Sequence, residues 1–171
     1  MQQNQSSVKS ATPSTSVALS QAVQLSLPEQ QGWQMQQGRG AGKPVVYQVF
    51  TRLFGNTNTN NIPWGTIEQN GIGKFADFTD IALQGIAELG VSHVWYTGVP
   101  HHALVNDYTA YGISNDDPDV IKGRAGSPYA IKDYYNVNPD LAVDPAQRLA
   151  EFEALIARTH ANGMKVIIDI V

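Results

Sequence analysis

Between residues 100 and 143 the chain sets Tyr108, Tyr111, Tyr129, Tyr134 and Tyr135 among Asp107, Asp116, Asp117, Asp119 and Asp133. Aromatic rings cover the C–H faces of a pyranose, and carboxylates accept from its hydroxyls, so this mixture fits a sugar ligand. His101 and His102 open the same stretch. Either imidazole can donate to a sugar hydroxyl. Adjacent residues of an extended chain point to opposite sides, so at most one of the pair is a contact. A second polar group, Asn56, Asn58, Asn60 and Asn61, offers amide oxygens of the kind that bind calcium. It lacks a carboxylate, so Asn56, Asn58 and Asn60 are expected to form a weak metal site at best. A third candidate is Asp169, carried at the end of the apolar run "MKVIIDIV".

Other residues carry less chemistry. "GRGAGKP" (38–44) is not a phosphate loop: Gln37 replaces the first glycine, Pro44 replaces the magnesium-binding hydroxyl, and a strand pattern follows. Asp77 and Asp80, three apart, belong on the solvent side of a helix. His93 falls inside an apolar run and reads as a hydrogen-bonded strand residue. His160 falls near a helix C-terminus, where its charge is favourable. There is no cysteine, which excludes disulfides, thiolate nucleophiles and zinc–thiolate sites.

The elements that must position these groups follow a regular order. "VVYQVFTRLF" (45–54) reads as a strand. "KFADFTDIALQGIAELG" reads as a helix with Phe75, Phe78, Ile81 or Ala82, Ile86 and Leu89 on one stripe, stopped at Gly90. "VSHVWYTGV" (91–99) is a second strand, followed by the long connection 100–143. "DPAQRLAEFEALIARTHANG" is a second helix with Asp144 as N-cap, Pro145 first, Gly163 as terminator, and Leu149, Phe152 and Leu155 or Ile156 as its stripe. "MKVIIDIV" is a third strand. Near-continuous apolar strands alternating with helices predict a parallel α/β sheet. Either an open doubly wound sheet or the start of an eight-stranded barrel fits, and both place ligands at the carboxyl ends of the strands. Connections as long as 100–143 are usually functional, which favours the barrel.

Composition separates two regions. Residues 1–43 are rich in Gln and Ser and read as a leader or linker, with one short strand expected in "SVALSQAVQLSLP"; 44–171 is the ordered domain. A net charge of −4 without a basic run speaks against nucleic acid and anionic lipid. No run of 18 apolar residues suggests membrane insertion. The N-terminus is a poor signal peptide, and the compartment is not legible.

From about residue 44 onward the chain resembles the α-amylase family of glycoside hydrolases. The resemblance rests on ordered pieces: "VVYQVFTRLF", "GIGKFADFTDIALQGIAELGVSHVWYTGV", "SPYAIKDYYNVNPDL" and "RLAEFEALIARTHANGMKVIIDIV". Asp169 and Val171 match the first and third positions of the family's Asp-x-Val-x-Asn-His region. The resemblance implies a partial (β/α)8 TIM barrel: its first three parallel strands and two helices, with a long loop after strand two. It further implies retaining hydrolysis of α-glucans or related α-glucosides by two carboxyl groups about 5–5.5 Å apart. The family's nucleophile, acid/base and third carboxylate belong to strands four, five and seven, so no catalytic residue is assigned here. The sequence is therefore expected to be an N-terminal fragment, inactive alone. Tyr129 matches the ring that stacks under the sugar at the cleavage subsite, and Asp169 the aspartate that orients polar neighbours beneath the site. Some members bind calcium after the first strand. The partner expected is an oligosaccharide or polysaccharide. Two rivals remain: a non-catalytic carbohydrate-binding homologue on the same scaffold, and a stand-alone α/β domain.

Overall fold

The computed structural model describes residues 42–171. The leader assignment for 1–43, its short strand and the "GRGAGKP" segment lie essentially outside the described residues.

Three parallel strands form the central sheet: β1 (Val46–Phe50), β2 (His93–Thr97) and β5 (Lys165–Ile168), in the order β1-β2-β5. Val46 pairs with His93, and His93 with Lys165, so side chains fall into rows across the sheet. Alternate residues point to opposite faces. One face presents Tyr47, Val49, Val94, Tyr96 and Val166 to the helices, and all five belong to or pack on the apolar core. The other presents Val46, Gln48, Phe50, Trp95 and Ile167; Val46 and Phe50 are exposed there. The sheet is thus covered on one side only, although its strands read as buried on both.

A four-residue helix, α1 (Ile67–Asn70), lies in the loop after β1. The crossover from β1 to β2 runs through α2 (Asp80–Glu88), and that from β2 to β5 through α3 (Arg148–Ala161). Phe78 joins the layers: its ring stacks on Phe54 at 4.1 Å and meets Tyr96 edge-on at 5.0 Å. Arg158 of α3 donates to the carbonyls of Phe78 and Phe75, tying the two helical segments together. The Tyr96 hydroxyl bonds Thr159 at 2.7 Å, and burial pushes its pKa up to about 12.

Several boundaries differ from the sequence expectation. The first strand stops at Phe50, because Leu53 and Phe54 donate to the Phe50 carbonyl and turn the chain. The first helix is broken in two. Phe75–Asp77 is a 3₁₀ turn closed by Asp77 accepting the Lys74 N–H at 2.7 Å, and α2 restarts after Thr79, which caps Ala82 N–H. Its buried side is Leu83 and Ile86, whereas Ile81 and Leu89 are exposed. Asp77 is half-buried and not a solvent-face residue. Asp144 and Pro145 start a 3₁₀ turn ahead of α3, and Leu149 is exposed while Phe152 and Leu155 are enclosed. The long connection is not structureless: β3 (Pro100–His102) and β4 (Ile131–Val137) pair antiparallel within it, with register shifts around His101. Strands of this length, one with two histidines and one with adjacent tyrosines, carry too little alternation to announce themselves.

Candidate functional site

The carboxyl ends of β1, β2 and β5 bring Thr51, Gly98 and Asp169 to one end of the sheet, and β3 follows directly from β2. Gly98, at φ +81°, allows a close approach: a Cβ there would meet the Phe50 ring at 3.0 Å and Pro128 at 3.3 Å. The segment carrying Tyr129 is thereby held against the strand ends. Tyr129 itself is 53% exposed, its ring open to solvent.

Asp169 is 8% exposed. Its Oδ1 accepts from the Trp95 indole N–H, one strand away on the uncovered face, and its Oδ2 has no partner among the described residues. His101 is 2% exposed with both ring nitrogens unpartnered, and Thr51 Oγ1 is likewise buried and unpartnered. Buried polar groups are nearly always hydrogen-bonded, which makes Thr51, His101 and Asp169 the candidate ligand-facing groups of these segments. Burial, helped by the nearby Lys132 charge, holds the His101 pKa below the ordinary imidazole value, against the pull of Asp133 and Asp116.

His102 stands differently. Its Nε2 lies 2.9 Å from the Ala125 carbonyl and its Nδ1 3.2 Å from that of Pro100. It is 4% exposed, and burial lowers its pKa while the two carbonyls act the other way. His102 is engaged by backbone, and His101 keeps free nitrogens. His93 has Nδ1 2.8 Å from Ser92 Oγ, and His160 is exposed in the last turn of α3.

The aspartates of the long connection mostly serve the backbone. Asp107 accepts from Thr109 N–H and Oγ, Asp117 from Asp119 N–H, and Asp133 from Tyr135 N–H. Asp116 accepts from Leu104 N–H and pairs with Lys132 at 2.7 Å. The aspartate that matters most for the architecture, Asp140, went unnoticed in the sequence. Fully buried, it accepts from Arg52 (2.6 Å), Asn106 (2.7 Å) and the Tyr108 hydroxyl (2.7 Å), while Lys74 donates to its backbone carbonyl. Tyr108 is therefore a member of this network and not a surface platform; burial and the Asp140 charge push its pKa far up. The signal available was "NPD", an Asx-Pro turn: Asn138 Oδ1 accepts the Asp140 N–H and fixes the carboxylate inward.

The asparagines form a ladder of local bonds. Asn56 Oδ1 accepts Asn58 N–H, Asn58 Oδ1 accepts Asn60 N–H, and the amide groups of Asn58 and Asn60 both donate to the Gln69 carbonyl. Among the described residues no cluster of three His, Cys, Asp or Glu is placed to share a metal. Asn56 lines a groove with Arg52, Lys122 and Arg124. A calcium ion here would be held by neutral, already shared oxygens close to cations, and the donor set does not fit a tight site.

A model of the α-amylase catalytic domain matches residues 48–171. The chain belongs to the α-amylase family. Among curated relatives, an alpha-glucosidase of Pediococcus pentosaceus is 28% identical over 127 residues, covering 74% of this chain and 16% of that protein. A trehalose-6-phosphate hydrolase of Bacillus subtilis is 26% identical, covering 75% and 17%. An alpha-amylase structure from Lactobacillus plantarum is 34% identical with a TM-score of 0.48, over 75% of this chain and 22% of that one. The chain thus spans about a sixth of the length of the curated relatives it matches. The α-amylase-family match begins within β1 and includes every later strand and helix described above.

Proposed function

We propose that these residues build the first three parallel strands and the two helices between them of a (β/α)8 glycoside hydrolase acting on α-glucans or related α-glucosides with retention. The observation that carries this reading is the α-amylase match over 48–171, laid on three parallel strands whose uncovered face and strand ends hold unpartnered polar groups. An eight-stranded barrel would cover that face with further side chains in layers. The relatives' names, alpha-glucosidase, trehalose-6-phosphate hydrolase and cyclomaltodextrin glucanotransferase, share α-glucosidic chemistry and differ in bond and acceptor.

In this reading Tyr129 stacks beneath a pyranose, its exposed ring meeting the C–H face. His101 offers its free nitrogens to sugar hydroxyls, while His102 holds the loop. Asp169 anchors Trp95 through one oxygen and keeps the other for a neighbour under the site. Nucleophile and general acid belong to later strands of the family's barrel, so the 171 residues alone turn over nothing. No helix among the described residues is long and apolar enough to cross a membrane. Calcium at Asn56, Asn58 and Asn60 would be held weakly, by neutral amide oxygens alone. The test is to offer the protein, with its barrel complete, maltoheptaose and cellohexaose. Cleavage of the α-linked substrate with release of α-anomeric product by NMR supports the reading. Cleavage of the β-linked one, or release of the β-anomer, contradicts it.

A further inference from the structure

A groove of about 240 Å³ lies beyond the carboxyl end of β1, lined by Arg52 and Leu53, the asparagine-rich loop and residues 122–125. Its wall carries Arg52, Lys122 and Arg124 and not one carboxylate, on a chain whose net charge is −4. Arg52 is already paired with Asp140 through Nη1, so the uncompensated charges are Lys122 and Arg124. Arg124 Nε is buried and has no partner among the described residues. Glu68 stands outside the wall. Its carboxyl is held below the usual range chiefly by Thr66, and Arg124 acts on it least. An unpartnered guanidinium nitrogen beside a lysine, with no counter-ion in the wall, is the complement of a phosphate or carboxylate.

The lining holds a second, independent feature. Trp64 is 56% exposed and sits at φ +58°, next to Asn61 at φ +50°. A bulky residue held in the left-handed region is strained and persists only where its surroundings enforce it. The enforcement is visible: Asn70 donates to the Ile62 carbonyl and accepts the Ile62 N–H, clamping the loop from both sides. The clamp holds an indole at the rim of a cationic groove. The volume is below the ~300–1,000 Å³ of pockets for drug-sized ligands and suits one ring with one small anionic group.

We propose that this groove binds a sugar ring bearing a phosphate or carboxylate, the anion on Lys122 and Arg124 and the ring against Trp64. The choice of a sugar rests on the glycosidase reading; the anionic preference rests on the groove alone. Titration calorimetry on the complete protein with glucose 6-phosphate, glucuronate, glucose and inorganic phosphate tests it. At least one anionic sugar should bind tenfold or more tightly than both glucose and inorganic phosphate, and which one does so identifies the anion. Lys122→Gln with Arg124→Gln should cost that ligand tenfold or more and flatten its weakening with salt. Trp64→Gly, which removes the ring and relieves the backbone, should weaken the anionic sugar and leave inorganic phosphate unchanged. Lys122→Gln alone changes an exposed side chain, so loss of binding there is not loss of fold. Equal binding of all four probes, or full binding by the double variant, overturns the proposal. Protein that cleaves maltoheptaose but shows no anionic preference overturns the groove and spares the glycosidase reading. Anion-dependent binding without any α-glucan cleavage supports the groove and counts against the hydrolase.

Discussion

Asp140 is fully enclosed, and its carboxylate gathers donors from three separate segments: Arg52 after β1, and Asn106 and Tyr108 from the long connection. A buried ion pair adds little relative to an apolar pair, but breaking it leaves a charge stranded. Asp140→Asn should therefore destabilise the protein by about 3 kcal/mol or more, read as a lower urea midpoint with unchanged m-value. His101 gives a pH signature. Its folded pKa lies below the unfolded one, so the unfolded state binds more protons in the acid range. The contribution is complete above about pH 6.5, the unfolded value, and declines as pH falls toward the folded value. His102 adds in the same direction. Stability measured from pH 7.5 to 5 should fall, and His101→Leu should flatten part of that slope. Tyr129, half-exposed, should behave oppositely to both. Tyr129→Ala should leave Tm unchanged and lower kcat/KM on maltoheptaose roughly tenfold, the worth of about 1–1.5 kcal/mol of ring contact. At this scale the sequence was legible in residue type and opaque in orientation. Asp107, Asp116, Asp117 and Asp133 have the composition of a sugar site, yet each is turned to a backbone N–H two to twelve residues away. Only the folded loop decides which carboxylates remain free.

At the scale of elements, α3 shows how the sheet is covered. Phe152 and Leu155 are enclosed, with Thr159 a turn later bonded to Tyr96 and to the Leu155 carbonyl. Leu155→Ala opens a cavity under the central strand and should cost about 2–5 kcal/mol by urea unfolding. The three parallel strands and the two crossover helices were readable because periodicity runs long there, and glycines at positive φ, Gly90 and Gly163, stop the helices where the pattern ends. What could not be read were interruptions set by side-chain caps. Thr79 and Asp77 split the first helix because each offers an oxygen to a nearby backbone N–H, a competition that hydrophobic spacing does not register. The β3–β4 pair escaped for a different reason. Its register shifts around His101, so neither strand keeps the alternation that would have revealed it.

At the scale of the whole molecule, the sheet is asymmetric. Helices cover the Val49, Val94 and Tyr96 side, while Val46, Phe50 and Trp95 occupy the other, and β1 and β5 are both edges of the described sheet. Exposed edges and an uncovered apolar face are costly in water and are removed when a barrel closes. The same closure would bring new partners to Asp169 Oδ2, His101 and Thr51. The α-amylase family membership and the one-sided sheet thus support a single reading, in which the described strands are a wall of a larger catalytic barrel. The most direct check is turnover of maltoheptaose by the 171 residues alone, beside the protein with its barrel complete. No cleavage above background is expected from the former, and enzymatic rates, about 1–10³ per second, from the latter. Comparable rates from both would contradict this reading.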